Sequence, residues 1–530
     1  MKKLLFLLFT LASINIYSQE TVGLTFFNGN SDISDGYTLF NPLSDNRTFL
    51  INNCGEVVNT WTFSGFNSRN SYLLENGTIL HSYEQGADIR DWNDNILWSI
   101  NYLDLFGFET HHDIEPLPNG NYLALVRDPY TNIEMFEEGL DTSYDAQALV
   151  LQRIIEIQPV GTDSANIVWE WKIFDHLVQD FDSSKDNFGS IANNPQLLDV
   201  NYEEGDGSNR IHANAIDYNA ELDQIAVSSR SLSEVFIIDH STTTAEAASH
   251  SGGRYGQGGD LLWRWGNPQV YDQGDESDRT LGRQHDIKWI EEGKDKGKLS
   301  VFSNRAYAED SNASSIHILD PNETNGFYAF DGANFFPEDY YWSWDGMILN
   351  DIFHAPLMSG VQILPNNNAL INESNSGRIS EVDEDGNIVW VYVIPVALNG
   401  EIEQFSEPSA NGSFRAHRYP PSFKGFEGLD LTPSGIIENI NDNSEICSSL
   451  LSTEEDFYVD LDYYPNPVDN ILTFEFTKDL DKITVIDVLG NTVKEINNSN
   501  FLDMGSLPSG LYILKILSGQ NDKLIKIIKR

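Results

Sequence analysis

Basic residues are scarce in this chain. Lys and Arg number 32 against 81 Asp and Glu, a formal net charge of −49. Nucleic-acid binding rests on neutralising phosphates with Lys and Arg, so nucleic acid is not expected as a partner, and anionic membrane surfaces are disfavoured too. The acidity reads as a solvated, non-aggregating surface, against which any anion site must be locally basic. Long apolar runs are confined to Met1–Ser18 (MKKLLFLLFTLASINIYS), where Lys2-Lys3, about ten apolar residues and a small, polar end make a secretory signal peptide, cleaved near Ser18 or Gln19. Nothing else reaches the ~18 apolar residues of a transmembrane helix, so no membrane span is expected. Helix-period patterns of useful length are scarce as well, which points to all-β structure. Cysteine is limited to Cys54 and Cys447. The two either form one bridge, tying the closing segment back to the start, or stay unlinked thiols.

Aromatic residues are plentiful, at 12%. The organising stretch is Phe353–Tyr392, which parses into four short β-runs, Ser359–Leu364, Asn368–Glu373, Gly377–Asp383 and Asn387–Val393, separated by Pro-Asn-Asn, Ser-Asn-Ser and Glu-Asp-Gly turn signals. Its last run ends in Gly-Asn-Ile-Val-Trp. Related segments are GEVVNTW (Trp61), NDNILW (Trp98), ANIVWEW (Trp169), GGDLLWRW (Trp263) and EDYYWSW (Trp342), with Trp390 in the organising stretch. A four-stranded sheet cannot bury both faces alone, so radial stacking predicts a six-bladed β-propeller with six outer strands marked by tryptophan.

Blade one takes Tyr37–Phe40, Thr48–Asn52 and Glu56–Phe63, one strand short, and Ser413–Tyr419 (SFRAHRY) is placed to supply the fourth. Arg69–Ile100, His112–Lys172, His212–Trp265, His285–Trp344 and His354–Val393 supply blades two to six, with long rim loops at Phe174–Asn209 and Thr242–Gly259. Thr21–Asp35 reads as an irregular lead-in, the propeller as 19–430, and Leu431–Tyr463 as a linker. From Tyr464 a small β-sandwich is expected (464–530). Its Tyr-Pro-Asn-Pro, Ile-Asp-Val-Leu-Gly, Leu-Pro-Ser-Gly-Leu-Tyr and Lys-rich final strand resemble the C-terminal sorting domain of the type IX secretion pathway of Bacteroidetes. That resemblance implies the type IX machinery as a partner and a secreted or cell-surface location.

Four blades place a histidine at or before the first strand and an arginine at the end of the second: His112 with Arg127, His212 with Arg230, His285 with Arg305, His354 with Arg378. Adjacent strands run oppositely, so all four pairs belong to one rim of the axis. Each pair either braces a turn or joins a common site. A ring of imidazoles and guanidiniums suits a tetrahedral anion, with arginine offering planar donors and histidine a nucleophilic nitrogen or a proton. A metal is the second choice, His111-His112 followed by Asp113 being the nearest approach to a ligand set, so no metal and no cofactor is expected. Asp383-Glu384-Asp385-Gly386 reads as a hairpin turn rather than a calcium loop.

The segments HHDIEPLPNGNYLAL, RIHANAIDYNAELDQIAVSSR, QHDIKWI, LSVFSNR, SGVQILPNNNALI and SGRISEV resemble the bacterial aryl-sulfate sulfotransferase family. The resemblance covers about Tyr37–Tyr419 and implies a six-bladed propeller that moves a sulfuryl group from an aryl sulfate to a phenol without a nucleotide sulfate donor. It implies a sulfohistidine at His354, assisting histidines at His212 and His285, a sulfate-binding Arg305 and neutral donors at Asn214 and Asn304. The repeat adds Arg230, Arg378 and His112 as substrate contacts. A non-catalytic propeller binding sulfated or aromatic ligands, and a sulfatase-like hydrolase, are the competing readings.

Overall fold

The computed structural model describes residues 22–28, 32–63, 68–144, 148–202, 207–305, 313–348, 351–404, 406, 408–438 and most of 462–530. The signal-peptide reading, Cys447 and most of the linker lie outside the described residues. Two compact units divide the chain, Met1–Ile446 and Cys447–Arg530. No helix among the described residues is long and apolar enough to cross a membrane.

Six antiparallel sheets of four or five strands form the body of the first unit, with four two-stranded sheets beside them among the described residues. From the axis outward, blade one is Ser413–Tyr419, Tyr37–Pro42, Arg47–Asn52 and Val57–Thr62; blade two is Ser68–Leu73, Ile79–Tyr83, Gly86–Arg90 and Ile96–Asn101. Blade three is Thr110–Pro116, Tyr122–Thr131, Ala148–Val160 and Ser164–Lys172; blade four is Ala213–Asn219, Gln224–Ser229, Glu234–Asp239 and Trp263–Trp265. Blade five is His285–Trp289, Leu299–Ser303, Ser315–Leu319 and Trp342–Trp344; blade six is Gly360–Ile363, Ala369–Glu373, Arg378–Val382 and Ile388–Val393. The six innermost strands touch in a closed circle. The protein is therefore a six-bladed β-propeller.

Closure draws on both ends of this unit. Ser413–Tyr419 pairs with Tyr37–Pro42 as the innermost strand of blade one, in the place its sequence suggested. The stretch read as an irregular lead-in is different: Gly23–Phe27 is a strand paired with Ile388–Val393, a fifth, outermost strand of blade six. Its short length and flanking Gly, Asn and Asp leave it without a clear period-2 signal. The ordered chain also runs past Asp430, since Ser434 and Gly435 exchange backbone hydrogen bonds with Val57. Cys54, buried beside this segment, is disulfide-bonded.

The tryptophan repeat has a physical basis. Each blade's outer tryptophan donates its indole N–H to the next blade: Trp61 to the Asp91 carbonyl (2.9 Å), Trp98 to Ser164 (2.7 Å), Trp169 to the Thr242 hydroxyl (3.1 Å), Trp263 to Phe336 (2.7 Å), Trp344 to Gly386 (3.1 Å) and Trp390 to Asn53 (2.8 Å). A large ring fills the wedge between sheets while its one polar atom is satisfied. In blade five Trp344, not Trp342, takes this position. Middle strands are buried on both faces, as in Gln224–Ser229 and Glu234–Asp239.

The second unit has a three-stranded sheet (Asp462–Tyr464, Ile471–Glu475, Phe501–Asp503) and a four-stranded sheet (Thr492–Asn497, Lys482–Asp487, Gly510–Ser518, Asn521–Lys529). Leu472, Phe474, Val485, Leu502, Leu514 and Ile527 fill a core of its own, a small β-sandwich.

Candidate functional site on the propeller axis

In blades three, four and five the innermost strand slips register where its histidine sits, near His112, His212 and His285. A bulge inserts one residue and re-aims a side chain. His112 (φ 67°), His212 (φ 50°) and Asp286 (φ 56°) take the left-handed conformation there. Such backbone costs about 1–3 kcal/mol per residue and persists where surrounding packing enforces it. The outcome is convergence: His112 Nε2 lies 3.1 Å from His212 Nε2, and the His112 ring sits 6.5 Å from that of His285. Phe414, from the closing strand, stacks on His112 at 6.0 Å.

His285 is buried, and its tautomer is set by Asn304. The Asn304 amide nitrogen donates to the Ala355 (2.7 Å) and Met358 (2.9 Å) carbonyls, so its oxygen must face His285 Nδ1, 2.6 Å away. Nδ1 therefore carries the proton and Nε2 keeps its lone pair. Burial holds the His285 pKa well below the usual imidazole range, and the nearby Arg415, His212 and Arg230 charges push the same way against the Asn304 hydrogen bond. The neutral His285 thus presents Nε2 as an acceptor.

Beneath the histidines lies a layer of buried ion pairs and amides. Arg415 Nε donates to Asp286 Oδ1 (2.8 Å), while Asp286 Oδ2 accepts from the Val361 amide (2.8 Å) of the next blade. Asp113 accepts from Asn70 Nδ2 (2.9 Å) and from the Ile216 amide (3.1 Å), again one blade on; Asn70 Oδ1 meets His417 Nε2 at 3.0 Å. Deeper still, Lys288 Nζ donates to Asp217 (2.9 Å), Glu115 (3.1 Å) and the Tyr72 hydroxyl (2.9 Å), joining four blades at the axis. Burial opposes the Lys288 charge, but Asp217 and Glu115 hold its pKa well above the usual lysine value.

The expected site residues divide. His112, His212 and His285 meet, with Arg230 half-buried beside them and its backbone N–H on the His212 carbonyl (3.0 Å). Asn214 donates to the Gln284 carbonyl (2.8 Å), bracing adjacent blades. Asn304 has both amide hydrogens committed to carbonyls and its oxygen to His285, which leaves it no hydrogen to donate to an anion. Arg305 is exposed at the end of its strand. Arg378 is buried against the Glu373 carboxylate, with Asp351 3.3 Å away, which neutralises it. His354 is exposed in an irregular segment, and among the described residues no hydrogen bond or ring contact joins it to the other three histidines. Its neighbours are nonetheless tied to theirs, because Asn304 and Ser314 hold the backbone of Phe353 and Ala355.

Sequence reasoning missed Arg415, Asp286, Asn70, His417 and Lys288. A signal existed in part: His112-Asp113 and His285-Asp286 repeat one dipeptide, whose carboxylate reaches the next blade in both cases. Three ligand-capable nitrogens, on His111, His112 and His212, lie within 4.8 Å of one another. Asp113, grouped with them by sequence, is engaged by Asn70 and Ile216 instead. The Asp383 turn is a hairpin, its carboxylate accepting from the Asp385 and Asn387 amides.

Fold and site together define a six-bladed propeller with a polar, histidine-rich centre at one end of its axis. A family model for arylsulfotransferase (ASST) matches residues 28–327, more than half the sequence, and the chain belongs to that family. It is a sulfotransferase. His354 and Arg378 fall beyond the matched segment. Residues 462–530 match the secretion system C-terminal sorting domain, which marks the protein for type IX export to the cell exterior. Among solved structures, a protein of unknown function from Bacteroides caccae is similar over 73% of this chain and 99% of its own, at 14% identity and a TM-score of 0.39. A catalytically inactive virginiamycin B lyase from Staphylococcus aureus, with quinupristin, is similar over 71% and 88%, at 9% identity and a TM-score of 0.32. No curated protein matches the sequence.

Proposed function

We propose that the protein moves a sulfuryl group from an aryl sulfate to a phenolic acceptor at the histidine end of the axis, through a sulfohistidine and without a nucleotide donor. His354 Nε2 attacks sulfur as the S–O bond to the aryl group breaks, and the departing phenolate takes a proton from His212. In the second half the acceptor phenol returns a proton to His212 while its oxygen attacks sulfur and the S–N bond breaks. Such transfer passes through a loose transition state, so the site's task is to position the group and offset charge on its oxygens. Arg305 and Arg230 suit that task, and His285 is the alternative to His212 as acceptor of the phenol's proton.

The observation that carries this reading is the meeting of His112, His212 and His285 from three separate blades. A second reading has its own support: His285, with Nδ1–H locked on Asn304 and Nε2 bare, is itself built as a nucleophile. Incubation with a radiolabelled aryl sulfate and a phenol tests both. Transfer to phenol with an acid-labile label on the protein is expected, and His354→Ala abolishes both. If label survives in His354→Ala and disappears in His285→Ala, the nucleophile is His285. Water as sole acceptor would make this a hydrolase, and no turnover a binding protein.

A further inference from the structure

The rim inserts of blades three and four carry a second cluster, away from the axis. His176, from the short helix Ile173–His176, is fully buried and stacks on Trp171 with ring centres 5.4 Å apart. Its Nε2 lies 2.8 Å from the Ala247 carbonyl and its Nδ1 lies 2.9 Å from Asp260 Oδ1. His250 Nδ1 points at the same oxygen, 2.7 Å away. A carbonyl can only accept, so Nε2 carries the proton and the lone pair of a neutral His176 is directed from Nδ1 at the carboxylate. The His176 lone pair and the Asp260 oxygen repel unless a proton or a metal cation sits between them, and His250 Nδ1 brings a third ligand-capable atom to the same oxygen.

We propose that His176, His250 and Asp260 hold a divalent transition-metal ion of the zinc class. Two imidazole nitrogens and one carboxylate oxygen lie within 4.8 Å of one another, a donor set that suits zinc and not the all-oxygen shells of calcium or magnesium. The Nε2–H bond to Ala247 is the outer contact that metal-bound histidines commonly make, fixing tautomer and ring plane. His250 is exposed, which leaves the remaining coordination position to water. The ion would clip the insert of blade three to that of blade four, where Trp171 already donates to the Gly259 carbonyl (2.7 Å). Its role is structural, and it is independent of the sulfuryl-transfer reading.

The test compares the full chain with His250→Ala, a change at an exposed position outside the axial site. After chelation and dialysis against zinc, the native chain is expected to hold about one equivalent more than the variant, as one three-ligand site requires. Zinc should raise the Tm of the native chain alone. Sulfuryl transfer should be equal in both, showing that the fold and axis are intact. Equal zinc content in the two chains, or an equal Tm response, would overturn the proposal and shift any bound zinc to the His111, His112 and His212 cluster.

Discussion

The chemistry turns on single atoms. Asn304 matters because its amide has only one way to face, and that orientation decides which His285 nitrogen is basic. Asn304→Leu should lower kcat by about 10- to 100-fold, the usual cost of removing an orienting partner, with little change in KM. Asn304→Asp keeps an acceptor at Nδ1 and should restore part of the rate. Its pH–rate profile should move to higher pH, because a carboxylate favours the imidazolium that burial now suppresses. The histidines were legible from their repetition along the chain. Arg415 was not, because nothing near it in the sequence announces an Asp286 partner 129 residues away.

Each blade is held to its neighbours by a few polar contacts through an apolar seam. Trp390→Phe keeps an aromatic six-membered ring but loses the indole N–H that the part-buried Asn53 carbonyl accepts from and leaves a gap in the seam, and urea unfolding should show a loss of about 1–3 kcal/mol. The seam between blades three and four has a titrating member, His240, whose Nδ1 meets Asp223 at 2.7 Å and whose Nε2 meets Glu156 at 3.2 Å. Burial alone would lower its pKa from 6.5, but hydrogen bonds to the two carboxylates raise it to about 9. A pKa raised on folding stabilises fully below the unfolded value and ceases to do so as pH rises through the folded one. Native stability should therefore decline between about pH 6.5 and 9 by more than that of His240→Gln, which a denaturant series across this range would read. Tryptophan spacing identified these seams, although it chose Trp342 where packing selected Trp344.

A propeller as a whole depends on closing its ring, and this one closes with a strand from each side of the sequence, Gly23–Phe27 outside and Ser413–Tyr419 inside. Lys288 performs a similar task at the axis. Lys288→Met would leave Glu115 and Asp217 buried without their cation and should cost about 3–5 kcal/mol in equilibrium unfolding. Burial already pushes Asp217 up to about 6 against the pull of Lys288, and losing that cation raises it further, so the deficit should shrink as pH falls toward that value and the variant's carboxyl takes up a proton.

Blade number, strand order and the sandwich tail were readable from the chain alone, because strand alternation, turn chemistry and the tryptophan repeat are properties of short stretches. Which side chains share the axis was settled only by closure. His112, His212 and His285 meet because three bulges turn them to the same end of the axis, and Arg378 is neutralised because Glu373 faces it across a hairpin. Short-range pattern specifies a strand and its two faces. The partner a face finds depends on ring geometry that no local stretch contains.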